Sequence, residues 1–305
     1  MSNVTSAQAM VGMVRVSGGS YLAGDDRFYA EERPVTEVTV GDLWVDVHPV
    51  TNALFRWFVE ATGYVTVAES QPPAEDFDGA RPEDLVPGSL VFTGTSGPVP
   101  LDDWTRWWSW VPGADWRRPQ GGDSTLLGRE LHPVVHVAFE DAQAYATWAS
   151  KALPTEAEWE FLARGGLAGA TYAWGDDFMP GGRVMANTWH GRFPWENIGP
   201  HGFHGTSPVG TFPANGYGLH DVTGNVWEWT NTPWTADRSP ERTPASSCCA
   251  PVNATALAET DRRVTKGGSH LCAPSYCLRY RPAARQGHSV RSSTSHLGFR
   301  CVVRE

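Results

Sequence analysis

Fifteen tryptophans and 32 glycines in a chain of 305 residues constrain the fold more than any other feature. Indole supplies large buried area, and glycine permits tight, irregular backbone. Together they predict a core held by aromatic packing among long loops, with little regular secondary structure. Length allows one large core or two modest ones. No composition break marks a linker, and no fixed-period repeat appears. One domain of mixed α+β type, loop-rich in its second half, is the economical expectation.

Regular elements are legible where the pattern is strong. Met13 to Val47 reads as short alternating strands. Thr51 opens a helix whose residues Leu54, Phe55, Phe58 and Val59 share a face, and Gly63 ends it. Residues 70–125 lack a steady period but hold Trp104, Trp107, Trp108, Trp110 and Trp116, so an ordered loop pinned by indoles is expected. A second helix is predicted near Glu140 to Lys151, with Ala142, Tyr145, Ala146 and Ala149 on one face. The clearest start is LPTEAEWEFLARGG. Thr155 and Glu158 have capping-box spacing, and Gly165 sits at the C-cap, so a structural helix is predicted.

The net charge is −10, and no run of Lys or Arg exceeds two. This argues against a nucleic-acid partner. No stretch approaches the roughly 20 apolar residues that span a bilayer, and the start MSNVTSAQAMVGMVRV does not read as a signal peptide. The expected compartment is the cytoplasm. Five cysteines, an odd number, argue against a disulfide framework.

Three segments are able to carry chemistry. In KGGSHLCAPSYCLRYRPAAR (266–285), Cys272 and Cys277 are separated by four residues. Such a pair is open to redox cycling, to holding a soft metal such as Cu(I), or to inert burial. Two sulfurs without histidine are too few for structural zinc. Arg279, Arg281 and Arg285 would favour thiolate if near. In NGYGLHDVTGNVWEWT (215–230), Asp221 and Glu228 bracket a tight turn, suited to calcium or, more plainly, to a strand–turn–strand with solvated acids. In ANTWHGRFPWENIGPHGFHG (186–205), Asn187 offers an amide oxygen. His136 reads as a satisfied strand residue. No GxSxG, GxxxxGK, HExxH or strand-linked GxGxxG motif is present.

These segments, with MVRVSGGSYLAG near the start, HPVVHVAFEDAQAYATWASKALPTEAEWEFLARGG and LGFRC, resemble the formylglycine-generating enzymes, the sulfatase-modifying factor family. The resemblance runs from about Met13 to the C-terminus, and the segment with both cysteines is its most specific part. It implies a disordered segment over residues 1–12 and a catalytic domain over 13–305, in a fold related to C-type lectins. The implied substrate is an unfolded sulfatase polypeptide with a CxPxR motif, whose cysteine is oxidised with O2 to Cα-formylglycine. By the resemblance Cys272 and Cys277 hold Cu(I), and Ser269, Trp227 and Tyr276 line the site. One calcium site takes Asp221 and Glu228 with the Gly224 and Val226 carbonyls. Another takes Asn187 with the Thr188 and Phe203 carbonyls. This chain departs from the family at His201, where an aspartate is usual, at Ala273 and Pro274, and at His296, where exported members have Asn. The wider superfamily leaves two rivals, an iron-dependent sulfoxide synthase and a non-catalytic binding module.

Overall fold

The computed structural model describes residues 10–74, 81, 83, 85–238 and 262–305. Cys248, Cys249 and the first nine residues lie outside them. Met10 to Gly12 form a turn that leads into the first strand.

Strands β1 (Met13–Val16), β2 (Gly19–Ala23), β3 (Thr36–Val40) and β4 (Leu43–Asp46) follow one another. Alternation places one side of each strand inward. The first and fourth pair, and the second and third pair, all antiparallel. Near the C-terminus β11 (Val302–Arg304) joins the other side of β4. The two ends of the domain therefore close one sheet.

Helix α1 (Asn52–Thr62) starts where Thr51 accepts the Leu54 N–H and ends at Gly63 in the left-handed region. Phe55, Phe58 and Val59 are buried, whereas Leu54 is partly exposed. Helix α2 (Phe139–Trp148) stops earlier than its pattern suggested, because Ser150 turns to φ +58°. Helix α3 (Glu156–Arg164) has the reciprocal Thr155–Glu158 capping box and Gly165 at φ +56°. Between α1 and α2, β5 (Gly88–Phe92) and β6 (Trp108–Pro112) form an antiparallel pair. Trp107 and Trp116 are buried there, while Trp104 is half exposed.

Among the described residues the C-terminal part is organised by a four-stranded sheet of order β10 (Leu297–Gly298), β7 (Trp227–Pro233), β8 (Arg262–Lys266), β9 (Arg285–Ser289). No long helix follows Tyr172 in the described chain. The core is aromatic, as the composition demanded. Phe55 packs against Phe58, Trp116, Tyr145 and Phe299, with centroids 5.3–6.4 Å apart. Cys272 and Cys277 belong to the same core cluster.

Two readings need correction. His136 is not in a strand. It stands at φ +59° and bonds Ser89 Oγ at 2.8 Å and the Pro119 carbonyl at 2.9 Å. Residues 215–226 are turns, not a strand, and Asp221 and Glu228 are buried rather than solvated.

A buried charge network ties α3 to the sheet. The fully buried Glu160 carboxylate meets Lys266 Nζ (3.2 Å), Arg238 (2.9 Å) and Arg164 (2.7 Å). Burial works against its ionisation, but Lys266, Arg238 and Arg164 prevail and hold it well below the usual carboxylate range. Removing one partner of such a pair leaves an uncompensated buried charge. Glu160→Gln is expected to lose about 3–5 kcal/mol in urea unfolding. A loss under about 1 kcal/mol would show that the network is dispensable.

Candidate active site

The cysteine segment leaves β8 at Lys266 and turns through Gly267 and Gly268, at φ +93° and +68°. A Cβ on Gly268 would sit 2.9 Å from the Arg279 carbonyl, so only glycine lets the two ends of this loop meet. The loop then winds tightly. The Cys272 N–H bonds Ser269 O at 2.9 Å, and the Tyr276 and Cys277 N–H groups both bond Ala273 O, at 3.0 and 2.8 Å.

This winding brings the two sulfurs to 3.1 Å. The cysteines are free and buried, and the gap is far above the roughly 2.05 Å of a disulfide. The protons divide unequally. Burial, then the bond to Cys277, pushes the Cys272 thiol well up. The hydrogen bond from Cys272, helped by Arg279, pulls Cys277 down to about 7. The division favours Cys272 as the thiol and Cys277 as the thiolate of the pair. Of the three arginines expected here, Arg279 does this work. It lies 4.0 Å over the Tyr29 ring and pairs with Glu31. Arg281 is committed to Glu32, and Arg285 to Glu156.

Both thiols line a cavity of about 600 Å³, together with Ser269, Trp227 and Tyr276. The structure brings all five residues of the expected site together. Ser269 Oγ accepts the Leu271 N–H at 3.2 Å and lies 3.0 Å from His296 Nδ1. Tyr276 stacks on Phe193 at 4.5 Å, and Trp108 meets His296 at 4.8 Å. Sequence reasoning missed Trp108, Phe193 and His288 as cavity residues. They arrive from β6, a loop and β9, and local spacing carries no signal of such long-range convergence.

The oxygen donors behave differently. Asn187 and the 221–226 turn are in contact. The Asn225 N–H bonds Asn187 O at 2.8 Å, and a Cβ on Gly224 would stand 2.5 Å from that oxygen. Asp221, at φ +53°, accepts the Gly210 N–H through Oδ2 at 2.8 Å. Asn187 Nδ2 donates to Gly205 O and Ser207 Oγ, and Thr188 Oγ1 lies 3.2 Å from His190 Nε2. Phe203 closes a short turn in which His201 takes φ +66°. Glu228 is buried beside this turn. Its carboxylate receives Arg300 through both oxygens (2.7 and 2.8 Å) and the Trp159 indole N–H (2.7 Å). It is a buried ion-pair partner. Among the described residues, no three His, Cys, Asp or Glu side chains gather to hold a metal.

Residues 2–305 match the sulfatase-modifying factor enzyme 1-like domain. The chain belongs to that family. It is 57% identical over 292 residues to a formylglycine-generating enzyme of Mycobacterium tuberculosis, covering 95% of this chain and 97% of that one. It is also 40% identical over 297 residues to a bovine protein (Bos taurus) named inactive C-alpha-formylglycine-generating enzyme 2, covering 96% and 88%. The solved structure of PvdO from Pseudomonas aeruginosa superposes with a TM-score of 0.63 at 23% identity, over 96% of this chain and 94% of that one. That likeness shows the fold, which is α+β and related to C-type lectins, as the family resemblance implied.

The thiol asymmetry is testable. In reduced, metal-free protein, iodoacetamide labelling of Cys277 should rise with a midpoint near pH 7. Arg279 lowers that value, so Arg279→Gln should move the midpoint upward. An unchanged midpoint would remove Arg279 from the account.

Proposed function

We propose that this protein oxidises the cysteine of a CxPxR segment in an unfolded sulfatase polypeptide to Cα-formylglycine, using O2 and a Cu(I) held by Cys272 and Cys277. The carrying observation is the reduced, buried pair of sulfurs 3.1 Å apart in the wall of an open cavity. Two soft donors and no third side chain suit monovalent copper and do not suit zinc. When bound, copper supplies a redox-active centre with room for a substrate sulfur. The rest of the site is protein chemistry. Arg279 favours thiolate at Cys277. Trp227 and Tyr276 give the cavity an apolar wall that limits water. Ser269, fixed by Leu271 and His296, presents a hydroxyl beside Cys272.

Structural calcium is part of the same reading, on Asp221 and Glu228 with the Gly224 and Val226 carbonyls, and on Asn187 with the Thr188 and Phe203 carbonyls. The free state of Cys272, Cys277 and Cys301 supports a reducing compartment, and we place the protein in the cytoplasm.

An iron-dependent sulfoxide synthase would need converging histidines. Among the described residues no three His, Cys, Asp or Glu side chains converge in that way. A binding module without catalysis has no use for a thiol of lowered pKa facing a cavity.

Mass spectrometry of a CxPxR peptide, incubated with copper-loaded enzyme, reductant and air, should show conversion to the aldehyde, blocked without oxygen. Cys272→Ser and Cys277→Ser should each cut turnover by more than about 100-fold. Full activity in either would sink the assignment. Chelating calcium should lower Tm by about 5 °C or more, read by calorimetry. An unchanged Tm after calcium is stripped would count against structural calcium.

A further inference from the structure

β9 pairs on one side only, with β8, and ends the four-stranded sheet of the described residues. Successive strand residues point to opposite faces. Yet Gln286, Gly287, His288 and Ser289 all line the catalytic cavity. The cavity therefore follows the edge of β9 rather than one face. An extended polypeptide is the kind of partner that lies along such an edge.

His288 stands in the middle of this stretch, and its tautomer follows from counting protons. Thr265 has one hydroxyl proton and gives it to Gln286 O at 3.1 Å. Its Oγ1 also lies 2.9 Å from His288 Nδ1, and with the hydroxyl proton on Gln286 O we assign Nδ1 as the donor to Oγ1. A neutral ring then has a bare acceptor at Nε2. Neutrality is enforced by the surroundings. Burial, then Arg262 and Arg279, pushes His288 down to about 4. The ring is held edge-on to Trp227 (6.2 Å) and Trp229 (6.1 Å). No described protein group donates to Nε2.

We propose that His288 Nε2 receives a main-chain N–H of the substrate polypeptide at or beside the reacting cysteine, and so sets how deeply that residue enters the cavity. The inference rests on the reading above that the substrate is an extended peptide. An amide is favoured over the substrate thiol because S–H is a weak donor. A weakly basic ring also accepts a hydrogen bond without removing the proton. Gly287 leaves the strand flush at this point. A Cβ there would strike the Trp234 ring at 2.4 Å.

The test crosses enzyme variants with peptide variants, using the full-length protein. His288→Phe keeps an aromatic ring against Trp227 and Trp229 but has no acceptor, and His288→Gln restores one. CxPxR peptides carry a single ester in place of the amide at the cysteine, or at the residue on either side. Binding is read by fluorescence anisotropy with serine in place of the cysteine, and turnover with the cysteine present. We expect His288→Phe to raise KM and the dissociation constant roughly tenfold with little change in kcat, and His288→Gln to recover most of the loss. One ester should weaken binding to the wild type by a similar factor and leave His288→Phe unaffected. Equal losses from every ester in both enzymes would overturn the proposal, as would wild-type binding by His288→Phe. A wild type that binds the peptide without oxidising it overturns the reaction only. One that does not bind it overturns both.

Discussion

The Glu160 carboxylate is the anchor on which the reactive loop depends. It is fully buried and draws Lys266, Arg238 and Arg164 onto one point, and it also accepts the Gly24 N–H at 2.7 Å. Lys266 is the last residue of β8. The Gly267–Gly268 turn and the two cysteines follow directly. Pinning Lys266 therefore pins the origin of the loop. An ion cluster so deep inside contributes little net stability against an apolar replacement, but it tolerates no missing partner. That is a sound way to hold a loop in one place. The neighbouring Glu228–Arg300–Trp159 cluster does the same for β7, whose Trp227 faces the cavity from the other side of the strand.

From that anchored origin the chemistry follows by proximity. Two thiols within 3.1 Å cannot both ionise easily in a buried setting. One proton is shared, Cys272 retains it, and Cys277 becomes the more acidic centre. Arg279 reinforces the division, because the Gly268 turn brings its backbone against the start of the same loop. A pair of this kind is soft and partly anionic, and it opens to the cavity. The aromatic residues that give the chain its odd composition serve two ends. Some, such as Phe55 and Trp116, fill the core. Others, such as Trp108, Phe193 and Tyr276, wall the cavity.

Much of the scaffold was legible in the chain. The capping box at Thr155 and Glu158, the Thr51 cap and the two C-cap glycines are local devices, and local devices survive translation into structure. The early strands were legible for the same reason. The strand reading of His136 and the plain reading of Asp221 and Glu228 as solvated acids failed because their partners lie elsewhere in the chain. Ser89, Gly210 and Arg300 decide what those side chains do, and no spacing rule announces them. Arg281 and Arg285 were candidates to favour thiolate only if the fold brought them near. In the fold, Glu32 and Glu156 claim them.

The sequence by itself determined which two cysteines share one loop, the loop-rich aromatic architecture and the family. Those depend on residue type and short spacing, which translate directly into donor chemistry and backbone freedom. Only the tertiary structure decided which arginine stands by the thiols, which acid is sealed in an ion pair, and which histidine lines the cavity from the edge of β9. Each of those is a choice among partners separated by tens to hundreds of residues. Such choices are made by burial, because a buried charge or polar atom must find its counterpart wherever the fold delivers one.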